Sequence, residues 1–386
     1  MNDQAKRDNT ILMVHVPLYT LGPRVNRVKF VTRALEPTWR VLRWPPHAPA
    51  KSTGSPFRAG RSAARYVAES LLLDKFEPGC RRNTANIPTD LTGGLLVGFP
   101  FSPVAVAASV LAHRDVPYVI DAGDPWALTA SNGSSHWLGG GWRQRRAEYR
   151  MWDQAAGAIL TTQGQADALQ QIFPNLPILI RPNGYERMPL PIKHHSEPQP
   201  SSTLRLVYYG SFYDTYNPLR VRHLCEHLLR CGHWKGLTFT HYGRDLNGTL
   251  ATLPSQIHVT QRSPVPWPEV IEQADNYDVA LVVGHRDQRK LPSKAIAYLT
   301  LPIPRLALCE TTKDALAEYV TDKPAYLVTT PDEADLGNQV ASHLKHMWTP
   351  KELAPPRSEA WDVVAAEVAA FVSERIEAHS SKRLSG

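Results

Sequence analysis

Residues Leu291 to Leu308, LPSKAIAYLTLPIPRLAL, put a serine and a lysine at the start of a helical stretch that runs straight into an apolar strand. An ammonium at Lys294 beside a Ser293 hydroxyl, where the first backbone N–H groups of a helix lack internal partners, is chemistry that holds an anion. As a ligand site the segment reads as a seat for a nucleoside diphosphate; as scaffold, Pro292 and Ser293 cap an ordinary helix and Lys294 is solvated. Two glycine turns extend the first reading. Gly210 and Ser211 end the apolar run LVYY ahead of a helix, so a backbone without Cβ can approach a diphosphate, or can simply make a tight turn. Gly243 and Arg244 follow a strand ending at Tyr242 and would bring a guanidinium to the same sheet edge. In the first half, Asp121 and Asp124 of DAGDPW stand at a strand end, where a carboxylate can orient or deprotonate a hydroxyl or cap a turn before Pro125. Glu148 lies among arginines at spacings that fit solvent ion pairs, a structural role. His15 closes the first strand and reads as a core histidine.

The elements that must position these groups come in two series. Short β-branched or leucine-rich runs alternate with amphipathic helical stretches, the pattern of parallel sheets built from βαβ units. The first series predicts strands over 11–16, 39–44, 94–98, 118–121, 157–161 and 178–181, with helices over 25–35, 62–73, 103–112, 142–154 and 163–172. A polar, proline-rich gap, PLPIKHHSEPQPSS, follows from Pro189. The second series predicts strands over 204–209, 237–242, 257–260, 279–283, 303–308 and 325–328, with helices over 219–230, 267–273, 293–299 and 312–319. The expected division is a first Rossmann-like domain over 1–190, a linker over 191–202, a second such domain over 203–357, and a C-terminal crossing helix and tail over 358–386. Ligands of doubly wound sheets bind beyond the carboxyl ends of the strands, so two such domains across a hinge would enclose one cleft.

A length of 386 residues suits two domains, and 42% hydrophobic with 20% charged residues is the balance of a globular chain. No apolar run is long enough for a membrane span, and the polar start MNDQAKRDNT lacks a secretory core. A cytoplasmic address is expected. The four cysteines carry no CxxC spacing and predict neither a zinc site nor a disulfide framework. Residues 1–190 hold 22 Lys and Arg against 14 Asp and Glu, whereas the remainder holds 21 against 22. The basicity therefore lies in the first half, where Arg24, Arg27, Arg143, Arg145, Arg146 and Arg150 could face an acidic substrate, the inner face of an anionic membrane, or solvent alone. No groove-reading or strand-reading motif accompanies them, so nucleic acid is not an expected partner.

Four segments in order, DAGDPW (121–126), LIRPNGY (179–185), LVYYGS (206–211) and LPSKAIAYL (291–299), resemble the retaining glycosyltransferases of the GT-B fold, in particular the family 4-like enzymes of surface-polysaccharide assembly. The resemblance runs over nearly the whole chain. It implies a nucleoside diphosphate sugar donor of UDP or GDP type, a glycan or lipid-linked saccharide acceptor, retention of configuration, and no metal or other cofactor. It implies donor contacts at Gly22, Gly210, Ser211, Gly243, Arg244, Lys290, Ser293 and Lys294, with acceptor contacts at Asp121, Asp124, Arg24 and Arg27. Asp124 and Lys294 take the catalytic roles, the first positioning the acceptor and the second holding the departing diphosphate.

The chain also departs from that pattern. The glutamate expected on the nucleotide ribose is Ala297, and its partner eight positions earlier is Arg289. Where relatives supply a cation to the diphosphate, this chain has YDTYN (213–217), leaving Lys290, Lys294, Arg289 or Arg244 to neutralise the leaving group. These departures open a second reading, a catalytically silent protein of the same fold that binds a nucleotide or saccharide as a partner subunit. A hydrolase or epimerase is a third.

Overall fold

The structure is a computed structural model, and it describes residues 9–14, 23–44, 77–98, 101–129, 140–187, 203–330, 335–346 and 349–384. The chain divides into two compact units, one of Met1–Asn183 with Trp361–Gly386 and the other of Gly184–Ala360. The expected helix over 62–73 and the expected linker lie outside the described residues.

In the first unit, β1 (Thr10–Val14), β2 (Arg40–Trp44), β3 (Gly93–Val97), β4 (Tyr118–Ala122), β5 (Gly157–Leu160) and β6 (Ile178–Ile180) form one parallel sheet in the order β2-β1-β3-β4-β5-β6. Its central strands are buried on both faces, which is why they read as continuous apolar runs. One face carries α1 (Pro23–Leu35) through Val28, Val31 and Leu35, a helical period, together with the C-terminal helix Trp361–Leu384. Phe30 stacks on Trp361 with centroids 5.7 Å apart. A short α2 (Glu77–Arg82) precedes β3, and α3 (Phe101–His113), α4 (Gly140–Asp153) and α5 (Gln163–Gln170) cover the other face.

A buried ion pair ties this unit together. Arg27 is 3% and Asp121 1% exposed, and the Arg27 Nε donates to Asp121 Oδ2 at 2.7 Å. The same guanidinium donates to the carbonyls of Pro182 (2.9 Å) and Arg181 (3.1 Å), and Arg181 pairs with Glu367 of the C-terminal helix at 2.6 Å. Removing one partner of such a pair leaves an uncompensated charge in the interior, at a cost of about 3–5 kcal/mol. Asp121→Ala is therefore expected to lower the unfolding free energy of the first unit, read by urea titration, by about 3–5 kcal/mol; a loss under ~1 kcal/mol would show that the pair behaves as a surface bridge.

In the second unit, β7 (Thr203–Tyr209), β8 (Gly236–Tyr242), β9 (His258–Arg262), β10 (Val279–Val283), β11 (Arg305–Leu308) and β12 (Tyr326–Thr329) make a parallel sheet in the order β12-β11-β10-β7-β8-β9. Helices α6 (Pro218–Arg230) and α10 (Leu336–Lys345) pack on one face. On the other lie α7 (Trp267–Gln273), α8 (Ser293–Ala297) and α9 (Ala315–Val320). The Asn217 side chain caps α6, and Asp314 caps α9, starting that helix later than the apolar pattern predicts. Neither α10 nor α11 (Pro350–Leu353) was expected, although Thr349 and Glu352 form a complete capping box.

The chain order reverses between β7 and β10, so the carboxyl end of β7 is a topological switch point, the place where ligands of doubly wound sheets bind. The two strands pair only through Leu206 and Val207, opposite Val279 and Ala280, and diverge beyond them. Gly210 follows β7 directly, and the segment leading to Lys294 follows β10.

Candidate functional site

Three consecutive strand ends in the second unit are laced by backbone bonds. Gly210 N donates to Tyr242 O at 2.8 Å, and Gly243 N donates to Arg262 O at 3.0 Å. Gly210 has φ +136° and Gly243 φ +153°, conformations that favour glycine. A Cβ at Gly243 would overlap the Gly210 carbonyl, and one at Gly210 would overlap the Lys294 side chain. The two expected glycine turns and the expected lysine thus meet at one point.

The Lys294 ammonium lies 5.4 Å from the ring centroid of Tyr208 and 5.9 Å from that of Tyr216. Protein atoms surround the side chain although part of it still reaches solvent. Burial, with the nearby charge of Lys290, pushes its pKa down to about 8. Among the described residues no carboxylate pairs with it. A cation held against aromatic faces over a glycine backbone, with no carboxylate beside it, is poised for an external anion.

Ser293 does not cap α8 as expected. The N-cap is Pro292, no side chain caps the helix, and Ser293 is its first residue. With only five residues, α8 contributes little dipole; the anion seat rests on Lys294 and the Gly210 turn. Ser211 accepts from Arg244 N at 3.3 Å, joining the two glycine turns, and Arg244 itself is exposed. Lys290 N bonds to Asp287 O, in the loop that leads into α8.

Two positioning residues escaped the sequence reading. The Tyr298 hydroxyl accepts from Tyr209 N at 2.8 Å and donates to Tyr209 O at 3.2 Å, replacing the ladder bonds that β7 loses where β10 diverges. His241 lies 2.6 Å through Nε2 from the Gly210 carbonyl, which can only accept, so the ring donates there. Burial lowers the His241 pKa and favours that neutral form. The period of β8 marks His241 as inward-facing, but nothing in the sequence tells a buried histidine from a ligand.

In the first unit the expected acceptor residues separate. Asp121 and Arg27 are closed off inside the ion pair described above and are not open to a ligand, which corrects the expectation for both. Asp124 is partly exposed in the turn after β4. That turn is held by Thr161, which donates to Gly123 O at 3.2 Å, and by Trp126, packed edge-on against Phe101. Glu148 is buried rather than solvent-paired: it accepts from Leu128 N at 3.0 Å and from the Trp152 indole at 3.3 Å, and burial raises its pKa to about 7. It fastens the far side of the Asp124 turn. Gly22, His15 and the side chain of Arg24 lie outside the described residues.

All four cysteines are free thiols. Among the described residues no three His, Cys, Asp or Glu gather into a metal-ligand group, and no helix is long and apolar enough to cross a membrane.

No family model and no curated relative matches the chain. Solved structures do resemble it. Sucrose-phosphate synthase from Thermosynechococcus elongatus superposes with a TM-score of 0.59 at 12% identity, covering 96% of this chain and 100% of that one. Anabaena Alr3699/HepE in complex with UDP and glucose gives 0.52 at 12% identity over 98% and 99%. A Listeria monocytogenes protein designated a UDP-N-acetylglucosamine 2-epimerase gives 0.53 at 11% identity over 95% and 96%. Together with the two six-stranded parallel sheets, these likenesses define the fold as GT-B. Fold alone does not select among the chemistries that such structures carry.

Proposed function

We propose that the protein is a glycosyltransferase that moves a sugar from a nucleoside diphosphate donor to a hydroxyl of a glycan or lipid-linked saccharide. The observation that carries this reading is the Gly210–Lys294 seat at the switch point of a GT-B unit. Two of the similar structures bear on it: one holds UDP and glucose, and another is a sucrose-phosphate synthase.

In this account Gly210 and Ser211 bring backbone against the diphosphate, and Lys294 neutralises the charge that grows on it as the sugar departs. Lys290 and Arg244 add long-range attraction. His241 and Tyr298 fix the turn from beneath, so that the donors stand ready before the reaction. Asp124 orients the acceptor hydroxyl, and the departing diphosphate takes its proton on the same face, which gives retention. Metal independence is part of the proposal. Release of UDP or GDP from a donor panel, with and without acceptor and in excess EDTA, tests it; turnover that vanishes in EDTA and returns with manganese would overturn the metal-independent step. Ala297 and the missing cation in 213–217 favour the rival reading, a catalytically silent partner subunit that binds a nucleotide or saccharide, which predicts ligand binding with no release from any donor.

The acceptor side includes a membrane-facing surface in this proposal. Helix α4 presents Trp142, 63% exposed, with the Arg146 guanidinium 5.4 Å over its ring, and beside them Tyr149, Arg145 and Arg150. Outward aromatics among arginines suit the headgroup region of anionic lipid. Arg145→Glu with Arg146→Glu is expected to release the protein from phosphatidylglycerol vesicles in a flotation assay, and unchanged flotation would remove this face from the account.

A further inference from the structure

Next to the anion seat, the loop where the sequence resemblance implies a cation carries Tyr213, Asp214 and Thr215 instead. Tyr213 is 43% and Leu246 52% exposed. They are not on slack loops. Phe212 N donates to Arg244 O and Leu246 N to Phe212 O, both at 2.9 Å, and the Asn247 amide donates to Tyr213 O at 2.9 Å and Tyr216 O at 3.3 Å. Asp245 in turn caps Thr249 N and Leu250 N, each at 2.9 Å. Two loops bonded to one another therefore hold an aromatic ring and an aliphatic side chain out into solvent. Tyr213 leans over Tyr216 with ring planes 27° apart and centroids 6.4 Å apart, and Tyr216 faces the Lys294 ammonium. The platform is continuous with the anion seat.

From this arrangement we infer that Tyr213, Asp214 and Leu246 form a saccharide subsite that binds a neutral sugar ring beside the diphosphate. The inference rests on the proposed transferase reading and names a specificity element for it. The aromatic face and Leu246 accept the C–H face of a pyranose, and the Asp214 carboxylate, exposed and without a hydrogen bond among the described residues, accepts from sugar hydroxyls. A carboxylate at this point repels a second phosphate, so the loop cannot do the work of the cation it replaces. It suits an uncharged ring.

The test uses the full chain, UDP, and the methyl glycosides of glucose, galactose, mannose, N-acetylglucosamine and rhamnose, read by saturation-transfer NMR and calorimetry. At least one glycoside is expected to bind the native protein. Tyr213→Ala and Asp214→Ala should each weaken it by ~10-fold or more while UDP affinity stays within ~2-fold, and Tyr213→Trp should retain it. Binding by no glycoside, or unchanged glycoside binding in Tyr213→Ala, overturns the subsite. A fall in UDP affinity with glycoside binding intact overturns it as well, and gives the platform to the nucleobase. UDP binding that depends on Lys294 in the same samples shows whether the seat itself stands.

Discussion

Replacing Lys294 by methionine is expected to weaken UDP binding by roughly 10- to 100-fold and donor turnover by about 100- to 1000-fold, while leaving the protein more stable than before. The two effects share one cause. A lysine whose pKa falls to about 8 holds its charged form at a cost in the folded state. Between that value and the ordinary lysine pKa the unfolded chain binds more protons than the folded one, so this group's contribution to stability rises with pH across that window. Below it, the burden is on the order of 2–3 kcal/mol, reduced by the water that the side chain still meets and by the rings of Tyr208 and Tyr216. Methionine keeps much of the volume and sheds the charge. A folded, stabilised protein that has lost UDP would therefore separate function from folding, with thermal melts and calorimetry as the readouts. A destabilised Lys294→Met would show that the ammonium is structural.

The second large effect concerns the two glycines, and it differs between them because the obstacles differ. A Cβ at Gly243 would meet the backbone carbonyl of Gly210, which three neighbouring strand ends hold in place. Nothing flexible can give way, and the residue is also held at φ +153°. Gly243→Ala is expected to cost at least ~3 kcal/mol and to lower the melting temperature of the second unit by several degrees. At Gly210 the obstacle is the Lys294 side chain, which can swing aside. Gly210→Ala should cost less stability, about 1–3 kcal/mol from the strained backbone, yet should lose UDP as thoroughly as Lys294→Met. If Gly210→Ala binds UDP normally, the lysine and the glycine are neighbours without a shared ligand.

Much of this architecture was readable before any coordinates. The central strands of both units are apolar because both faces are covered, and the positions of β3, β4 and β10 follow from those runs. The glycine turns and LPSK were legible because turn chemistry and charge are local. What escaped was set by distance in the chain. Arg27 and Asp121 look like surface charges in sequence, and only the sheet order brings them together with the carbonyls of Arg181 and Pro182. Glu148 reads as one more charge on a basic helix until Leu128 and Trp152 close over it. Tyr298 stands in the LPSKAIAYL segment, but its hydroxyl's service to Tyr209 depends on β7 and β10 diverging. Ser293 was misread as a cap because the boundary fell one residue earlier, at Pro292.

The central claim is that the Lys294 ammonium grips a diphosphate, and calorimetric titration of UDP across pH 6.5–10 tests it most directly. The terminal phosphate loses its last proton near pH ~6, and the uracil N3–H ionises toward the alkaline end of the span, so the protein's share of the change is read as the difference between the native chain and Lys294→Met titrated with the same ligand. Nearly constant affinity is expected up to about pH 8, then a fall that approaches tenfold per pH unit, with Lys294→Met weak throughout and lacking that fall. A native protein whose UDP affinity ignores pH over this span, or a methionine variant that binds with the same affinity and the same pH dependence, would contradict it.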